Sequence, residues 1–162
     1  MAQIIVRDLE DDVKARLKRR AAQHKRSMEE ELSMLMHRAP EAAVVAWVDR
    51  QPAESVWITS VTLLKVRLDL ALLPAGRRRQ ALQAAFARLL EEDLENRVLD
   101  FDAAAATEAT ALAAERRRAG HPVDIRDTQI AGIALARRAT LATRNLRHFA
   151  DLKVPVVDPW TD

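Results

Sequence analysis

The sequence predicts an α/β protein in which a short N-terminal strand–helix–helix unit is joined to a larger three-layer α/β domain. The hydrophobic period changes from two to about four residues near Glu10, and beyond Pro40 short apolar runs alternate with helical patterns. Only three glycines in 162 residues, no tyrosine and abundant Ala, Leu and Arg favour helices and exclude an all-β sandwich. The length suits one domain with a short additional unit.

Composition also limits the classes of function. The absence of cysteine removes disulfides, thiolate zinc sites and cysteine nucleophiles. No apolar run approaches about 20 residues, and the N-terminus lacks the pattern of a signal peptide. These features predict a cytoplasmic protein that does not associate with a membrane. The net charge of +2 lies entirely within residues 1–40, a surplus too small to identify a nucleic-acid partner without its placement.

The first forty residues predict a strand followed by two helices. Ile4 and Val6 alternate with the set Gln3, Ile5 and Arg7, which is typical of a strand with one buried face. An amphipathic helix follows from Glu10 to about His24, and the capping box that begins at Ser27 opens a second helix. A lone strand cannot satisfy its backbone groups, so we expect two chains to pair their strands antiparallel. Gln3, Ile5 and Arg7 would then face outward on a ribbon that fits the major groove.

The segment MAQIIVRDLEDDVKARLKRRAAQHKRSMEEEL resembles a ribbon-helix-helix antitoxin of the FitA/VapB type. The resemblance implies an intertwined homodimer, or a higher homo-oligomer, that binds double-stranded operator DNA. It places Gln3, Ile5 and Arg7 at base edges and a phosphate at Arg26, Ser27 and Met28, where the second helix begins. Lys25 departs from the family, which usually has a glycine there. A ribbon that only dimerises, without binding DNA, remains an alternative.

Beyond Pro40 the sequence predicts helices and strands in alternation, hence a parallel sheet covered on both faces. The predicted helices span 42–49, 62–73, 76–94, 103–119 and 127–138, and the predicted strands span 55–61, 97–100, 140–142 and 154–157. Ligands of such sheets bind beyond the carboxyl ends of the strands. The candidate positions are therefore Thr62 to Lys65, Asp102, Asp127 and Asn145.

Residues 40–160 resemble the PIN domain of VapC/FitB-type toxins, through segments such as RVLDFDAAAA, DTQIAGIALA and TLATRNLRHFADL. The resemblance implies a Mg²⁺-dependent ribonuclease with four converging acids. Here the first strand with its Asp-Thr-Asn is missing, Lys65 replaces a Glu, Asp127 is kept, and His148 replaces the last acid. We therefore expect a degenerate site of Lys65, Asp127, Asn145 and His148, with no metal, no cofactor and no enzymatic activity.

Two consequences of these substitutions stay open. The ammonium of Lys65 is expected to pair with Asp127 in place of the metal, or else to extend to solvent. Loss of the central first strand leaves a direct pairing of the Ser55 strand with the Thr140 strand, an opened sheet, or strand exchange between chains. Arg116, Arg117 and Arg118 are expected on a solvated helix end.

The predicted organisation is a ribbon-helix-helix domain at residues 1–38 and a truncated PIN-like domain at 39–162, with helix 27–38 shared. The predicted function is a dimeric DNA-binding regulator of toxin–antitoxin type, acting as an autorepressor or cross-regulator, with a catalytically dead PIN-like half. The alternative is an interaction protein that pairs with related intact toxins or antitoxins. Residual Mg²⁺-dependent ribonuclease activity is the third hypothesis.

Overall fold

The computed structural model of the chain describes residues 4–6 and 42–161. Its helices are α1 (Ala42–Asp49), α2 (Ser60–Leu72), α3 (Arg77–Arg88), α4 (Ala103–Arg118) and α5 (Ile125–Arg137). Its strands are β1 (Ile4–Val6), β2 (Val56–Thr59), β3 (Val98–Leu99), β4 (Thr140–Ala142) and β5 (Val156–Val157). A π-helical turn, Leu89–Asp93, extends α3, and 3₁₀ turns span Ala53–Ser55 and Leu146–His148. Every element predicted beyond Pro40 is present, with bounds that differ by a few residues, and the α/β fold class is confirmed.

The five strands form one parallel sheet in the order β3-β2-β1-β4-β5. Strand β1 is central: Ile4 pairs with Val56 of β2 and with Thr140 of β4, while Ile5 pairs with Trp57 and Leu141. The expectation of a direct pairing between the Ser55 and Thr140 strands, or of an opened sheet, is therefore wrong. A gap there would leave two rows of backbone groups unpaired, and the N-terminal strand satisfies both.

The origin of this central strand differs from the prediction for the same residues. The sequence predicts that Ile4–Val6 form an antiparallel ribbon between two chains, whereas in this single chain they run parallel between two strands of the larger domain. A β-branched segment is suited to either position, because both demand extended backbone and apolar neighbours. The family's first strand is thus absent from the expected place in the sequence, while its place in the sheet is filled.

Two hydrophobic clusters lie on opposite faces of the sheet. One is built on α1, α2 and α3 and contains Trp47, Phe86, Val56, Ile58 and Ala142. The other is built on α4 and α5 and contains Leu99, Leu112, Ile130, Leu141 and Phe149. Successive residues of a strand point to opposite faces, so β2 and β4 each contribute to both clusters. This arrangement is the predicted three-layer architecture.

Side-chain caps fix where three helices begin. Thr62 N–H donates to the hydroxyl of Thr59 at 3.0 Å, Ala105 N–H to Asp102 at 3.0 Å, and Asp127 N–H to Asp124 at 2.9 Å. The cap of α2, Thr59, is the last residue of β2, and the cap of α4, Asp102, lies three residues after the end of β3. Within residues 4–6 and 42–161, no helix is both long and apolar enough to cross a membrane.

Candidate functional site

The candidate site centres on Asp127, in the first turn of α5. Its carboxylate is almost fully buried, with 4% of the residue exposed. The backbone N–H of Asp127 is held by the capping carboxylate of Asp124, which fixes the first turn. Oδ2 of Asp127 lies 2.6 Å from Nδ1 of His148, 21 residues away in the chain. The structure therefore brings together two residues that the sequence had placed in one site.

His148 connects this buried acid to the surface. It ends the 3₁₀ turn Leu146–His148 that follows β4, and its side chain is 41% exposed. When Nδ1 carries a proton it donates to the Asp127 carboxylate, and the other ring nitrogen, Nε2, is then an acceptor. A carboxylate that orients an imidazole in this way suits proton transfer at Nε2.

The loop that carries His148 is fixed by Arg116. Its Nε and Nη2 donate to the two carboxylate oxygens of Asp151, both at 2.7 Å, and Nη2 also donates to the carbonyl of His148 at 2.7 Å. The hydrogen bonds to Asp151 raise the pKa of Arg116, and the guanidinium in turn holds the pKa of Asp151 below its usual value. Arg116 thereby positions the loop that carries His148. The negative charge of Asp127 also raises the pKa of Arg116, by less than Asp151 does.

The expectation that Arg116 lies on a solvated helix end is wrong, since the residue is 7% exposed. A signal for this burial was present in the sequence. Arg116 continues the helical stripe of Ala105, Ala109 and Leu112, which forms the buried face of α4. A long cationic side chain on an apolar stripe needs a carboxylate partner, and Asp151 supplies it. Arg117 and Arg118 are exposed, as expected.

Lys65 does not take the place of a metal beside Asp127. Its Nζ donates to Asp69 at 2.6 Å, one turn further along α2, and the two side chains are 50% and 48% exposed. The hypothesis of a Lys65–Asp127 pair is therefore wrong. An ammonium that has a carboxylate at i+4 in solvent avoids the cost of desolvation that a buried pair would carry.

Asn145 precedes the 3₁₀ turn and contributes through its backbone. Its N–H donates to the hydroxyl of Thr143 at 3.1 Å, and its carbonyl accepts from the N–H of His148 at 3.1 Å. Thr143 is fully buried at the carboxyl end of β4. The predicted residue therefore shapes the turn that presents His148.

Asp102 lies away from this group. Its Oδ2 accepts from Arg137 at 2.6 Å, at the opposite end of α5, about 15 Å of helix from Asp127. The N–H of Ala105, and then Arg137, lower the pKa of Asp102. Within the described part of the chain, no group of three or more acidic or histidine side chains could hold a metal ion. Mg²⁺ needs several oxygen ligands, and Asp127 is the buried acid that the described residues offer at this site.

The predicted DNA-contacting residues fall largely outside the described residues. Ile5 belongs to β1, where its backbone pairs with Trp57 and Leu141. The other five are not described: Gln3, Arg7, Arg26, Ser27 and Met28. The base and phosphate contacts of these side chains stay predictions.

Comparison with known families places this site in context. Residues 32–154 match the family described as PIN domain. The chain belongs to the PIN-domain family. Residues 2–39 match a second family, described as antitoxin FitA-like, ribbon-helix-helix. The chain is thus a fusion of a FitA-like arm with a PIN domain, and the two matched ranges overlap at residues 32–39.

Relatives and solved structures agree with this assignment. Plasmid stability protein StbB of Pseudomonas syringae pv. tomato is 35% identical over 129 residues, covering 80% of this chain and 93% of that protein. VapC ribonuclease Y4jK of Sinorhizobium fredii is 32% identical over 129 residues, covering 80% and 92%. The structure of FitAB bound to an IR36 DNA fragment aligns with a TM-score of 0.74 and 25% identity, covering 98% of this chain and 96% of that one.

The expectation that the protein is not an enzyme is contradicted by these comparisons. The PIN domain is present over most of the chain, and a relative that matches it over 129 residues is a named ribonuclease. The expectation rested on counting substitutions along the sequence, and part of its premise was wrong. The central strand is in the sheet, and Asp127 is buried and contacts His148.

Proposed function

We propose that this chain is a toxin–antitoxin regulator whose FitA-like arm binds operator DNA as a dimer. The observation that carries this proposal is the match of residues 2–39 to the FitA-like ribbon-helix-helix family. Further support comes from the likeness of nearly the whole chain to FitAB in a complex with DNA. The net positive charge of residues 1–40 agrees with contacts to phosphates.

In this proposal, sequence is recognised by the outward face of the ribbon. Gln3, Ile5 and Arg7 contact base edges, and Arg7 is suited to a bidentate pair with guanine. The turn before the second helix, at Arg26 to Met28, holds a phosphate through backbone N–H groups and the Arg26 charge. Regulation of its own promoter follows if the operator lies upstream of its own reading frame.

Fluorescence anisotropy with labelled DNA from upstream of the gene tests this function. We expect binding that weakens steeply as salt rises, because phosphate contacts release counterions. Arg7→Ala should weaken specific binding about tenfold or more, and it should reduce the preference for the operator over random DNA. Arg78→Ala removes an exposed charge from α3 and serves as the matched control. Equal affinity of the Arg7→Ala protein and the control for the operator would refute the proposal.

We infer RNA cleavage by the PIN domain as a second function. The specific observation in its favour is the pair of Asp127 and His148, which joins a buried carboxylate to a half-exposed imidazole at 2.6 Å. With Asp127 orienting the ring, Nε2 of His148 accepts the proton of the hydroxyl or water whose oxygen forms the new P–O bond. The P–O bond to the leaving ribose oxygen breaks, and the imidazolium returns the proton to that oxygen. The relative named a ribonuclease supports RNA as the substrate class.

Cleavage of labelled RNA by purified protein tests this activity. Asp127→Asn and His148→Ala should each lower the rate by about a hundredfold or more, since proton transfer by a positioned side chain contributes at that scale. Glu108→Gln, which makes a carboxyl-to-amide change like that of Asp127→Asn at an exposed residue of α4, should cleave at the rate of the parent protein. Cleavage that is equal in all three variants would come from a contaminating nuclease and would refute the assignment.

A further inference from the structure

Strand β1 has no free edge in the PIN-domain sheet. One edge pairs with β2 through Ile4 and Ile5, and the other pairs with β4 through all three residues. A strand has two edges only, and each can serve one neighbour. While β1 occupies this position, it cannot also pair with the same strand of a second chain.

The proposed DNA-binding arm needs that same strand. The FitA-like match begins at residue 2 and includes Ile4–Val6, and in the proposed dimer these residues pair antiparallel with a second copy. The two pairings therefore exclude each other for any one copy of the strand.

We propose that the gap between β2 and β4 is a strand-acceptor slot whose occupancy alternates with operator binding. In the DNA-free protein the slot is filled by Ile4–Val6, and formation of the DNA-bound ribbon empties it. The ligand that the slot takes is a short extended apolar peptide, running parallel to β2 and β4. This inference rests on the proposed DNA-binding function.

The length of β1 makes such an exchange feasible. The strand has three residues and forms two paired positions with β2 and three with β4. Few hydrogen bonds are therefore exchanged when it leaves, and ribbon pairing replaces part of them. DNA shifts the equilibrium because it binds only the form in which the strand is in the ribbon.

The emptied slot has a residue-specific signature in the amides of its walls. Successive N–H groups of a strand point to opposite edges. Leu141 N–H donates to Pro155 at 2.9 Å and Ile58 N–H to Arg97 at 3.2 Å, so these two amides face β5 and β3. By alternation, the amides of Ala142 and Trp57 face β1. The amides of Trp57 and Ala142 therefore report on the slot. Those of Ile58 and Leu141, in the same two strands, are the internal control.

Hydrogen exchange measured by NMR on the full chain, with and without saturating upstream DNA, tests the proposal. We expect Trp57 and Ala142 to exchange at least tenfold faster when DNA is bound. Ile58 and Leu141 should keep more of their protection than these two. Anisotropy on the same sample establishes that the DNA is bound.

The outcomes separate this inference from the function on which it rests. If DNA binds and the amides of Trp57 and Ala142 stay protected, the proposed strand exchange is overturned, while the proposed DNA-binding function is retained. Failure to bind any upstream DNA overturns the proposed function and the exchange with it.

A second variant weakens the slot without altering the arm. Thr140→Pro removes an N–H that, by the same alternation, faces β1, and it does so at the first residue of β4, where proline is best tolerated. The exchange predicts that this variant binds operator DNA about fivefold more tightly. The form in which Ile4–Val6 fill the slot competes with DNA binding, and this form loses one hydrogen bond. Thr140→Val keeps the N–H and should bind as the parent does. If the folded Thr140→Pro protein binds operator DNA with the affinity of the parent, the proposal is also overturned. If this variant does not fold, the hydrogen-exchange experiment on the parent protein tests the proposal.

Discussion

At the scale of single residues, the position of His148 depends on the guanidinium of Arg116. Arg116 joins the end of α4 to the loop after β4 through Asp151 and the His148 carbonyl. His148 in turn contacts Asp127. His148 is therefore held at two points. Arg116 binds its backbone carbonyl, and Asp127 contacts its ring at Nδ1. A positioning contact of this kind couples the stability of the loop to the geometry of the proposed base.

Arg116→Met should destabilise the protein by about 2 kcal/mol or more, because three charge-assisted hydrogen bonds, two to Asp151 and one to the His148 carbonyl, are lost while much of the buried aliphatic surface is kept. The pKa of Asp151 is held below its usual value of 3.8 by this guanidinium. A lowered carboxyl pKa contributes stability above that value and loses it as the pH falls through the lowered pKa. The difference between parent and variant, measured by urea unfolding, should therefore shrink below about pH 4.

The matched control is Arg117→Met, which changes the exposed neighbour of Arg116. We expect a loss of less than about 0.5 kcal/mol, independent of pH, as for most exposed substitutions. A difference between the parent and the Arg116→Met protein that stays constant from pH 7 down to pH 3 would contradict the role of Asp151 as the partner.

At the scale of elements, local pattern was sufficient for most of the PIN domain. The bounds of the 42–49 helix and the 140–142 strand agree with their predictions, because each has a distinct period and a clear end. The pairing of β1 could not be predicted in this way. Alternation identifies an extended segment with a buried face, and it is silent on which strand lies beside it and in which direction.

For the candidate site, too, the sequence predicts individual residues but not the contacts between them. Asp127 is predicted from the rule that ligands bind beyond the carboxyl ends of parallel strands, and the resemblance to the PIN domain predicts His148 in the same site. Their contact, and the contacts of Arg116, join residues 21 to 35 positions apart. Long-range pairs of this kind arise where the loop after β4 packs on α4 and α5, and no local pattern predicts which residues meet. The prediction that Lys65 pairs with Asp127 is wrong for the same reason. The sequence shows that Asp69 lies one helical turn from Lys65, but it does not show how far Asp127 lies from Lys65 in the fold.

The packing of α4 against α5 depends on Gly132. A Cβ at this position would lie 2.4 Å from the carbonyl oxygen of Ala105 and 2.7 Å from Cβ of Ala109. Gly132→Ala gains about 1 kcal/mol of helix propensity, but it forces the two helices apart. We expect a net destabilisation of about 1 to 3 kcal/mol in thermal or urea unfolding.

A second substitution distinguishes a steric cause from any other. Gly132→Ala combined with Ala109→Gly removes the contact at 2.7 Å and leaves those with the Ala105 carbonyl oxygen and the backbone N of residue 109. Partial recovery relative to the sum of the two single changes is expected, because the residues are in contact and their effects are not additive. Strict additivity would show that the helices adjust without strain at this point.

At the scale of the whole molecule, the arm and the PIN domain share one strand. Strand β1 lies between β2 and β4, and each of these contributes side chains to the clusters on both faces of the sheet. Damage to β1 should therefore reach both clusters. If the arm and the PIN domain were separate folding units, damage in the arm would leave the PIN domain unchanged.

Ile5→Pro distinguishes these two organisations. Proline at the middle residue of β1 removes an N–H and is poorly tolerated in a central strand. We expect the single unfolding transition of the PIN domain, followed by circular dichroism and by the fluorescence of Trp47 and Trp57, to lose about 3 kcal/mol or more. Ile5→Val keeps a β-branched side chain and the N–H, and it should lose less than about 1.5 kcal/mol. An unchanged transition in the proline variant would mean that the PIN domain folds without the N-terminal strand, because both tryptophans report on the clusters that flank it.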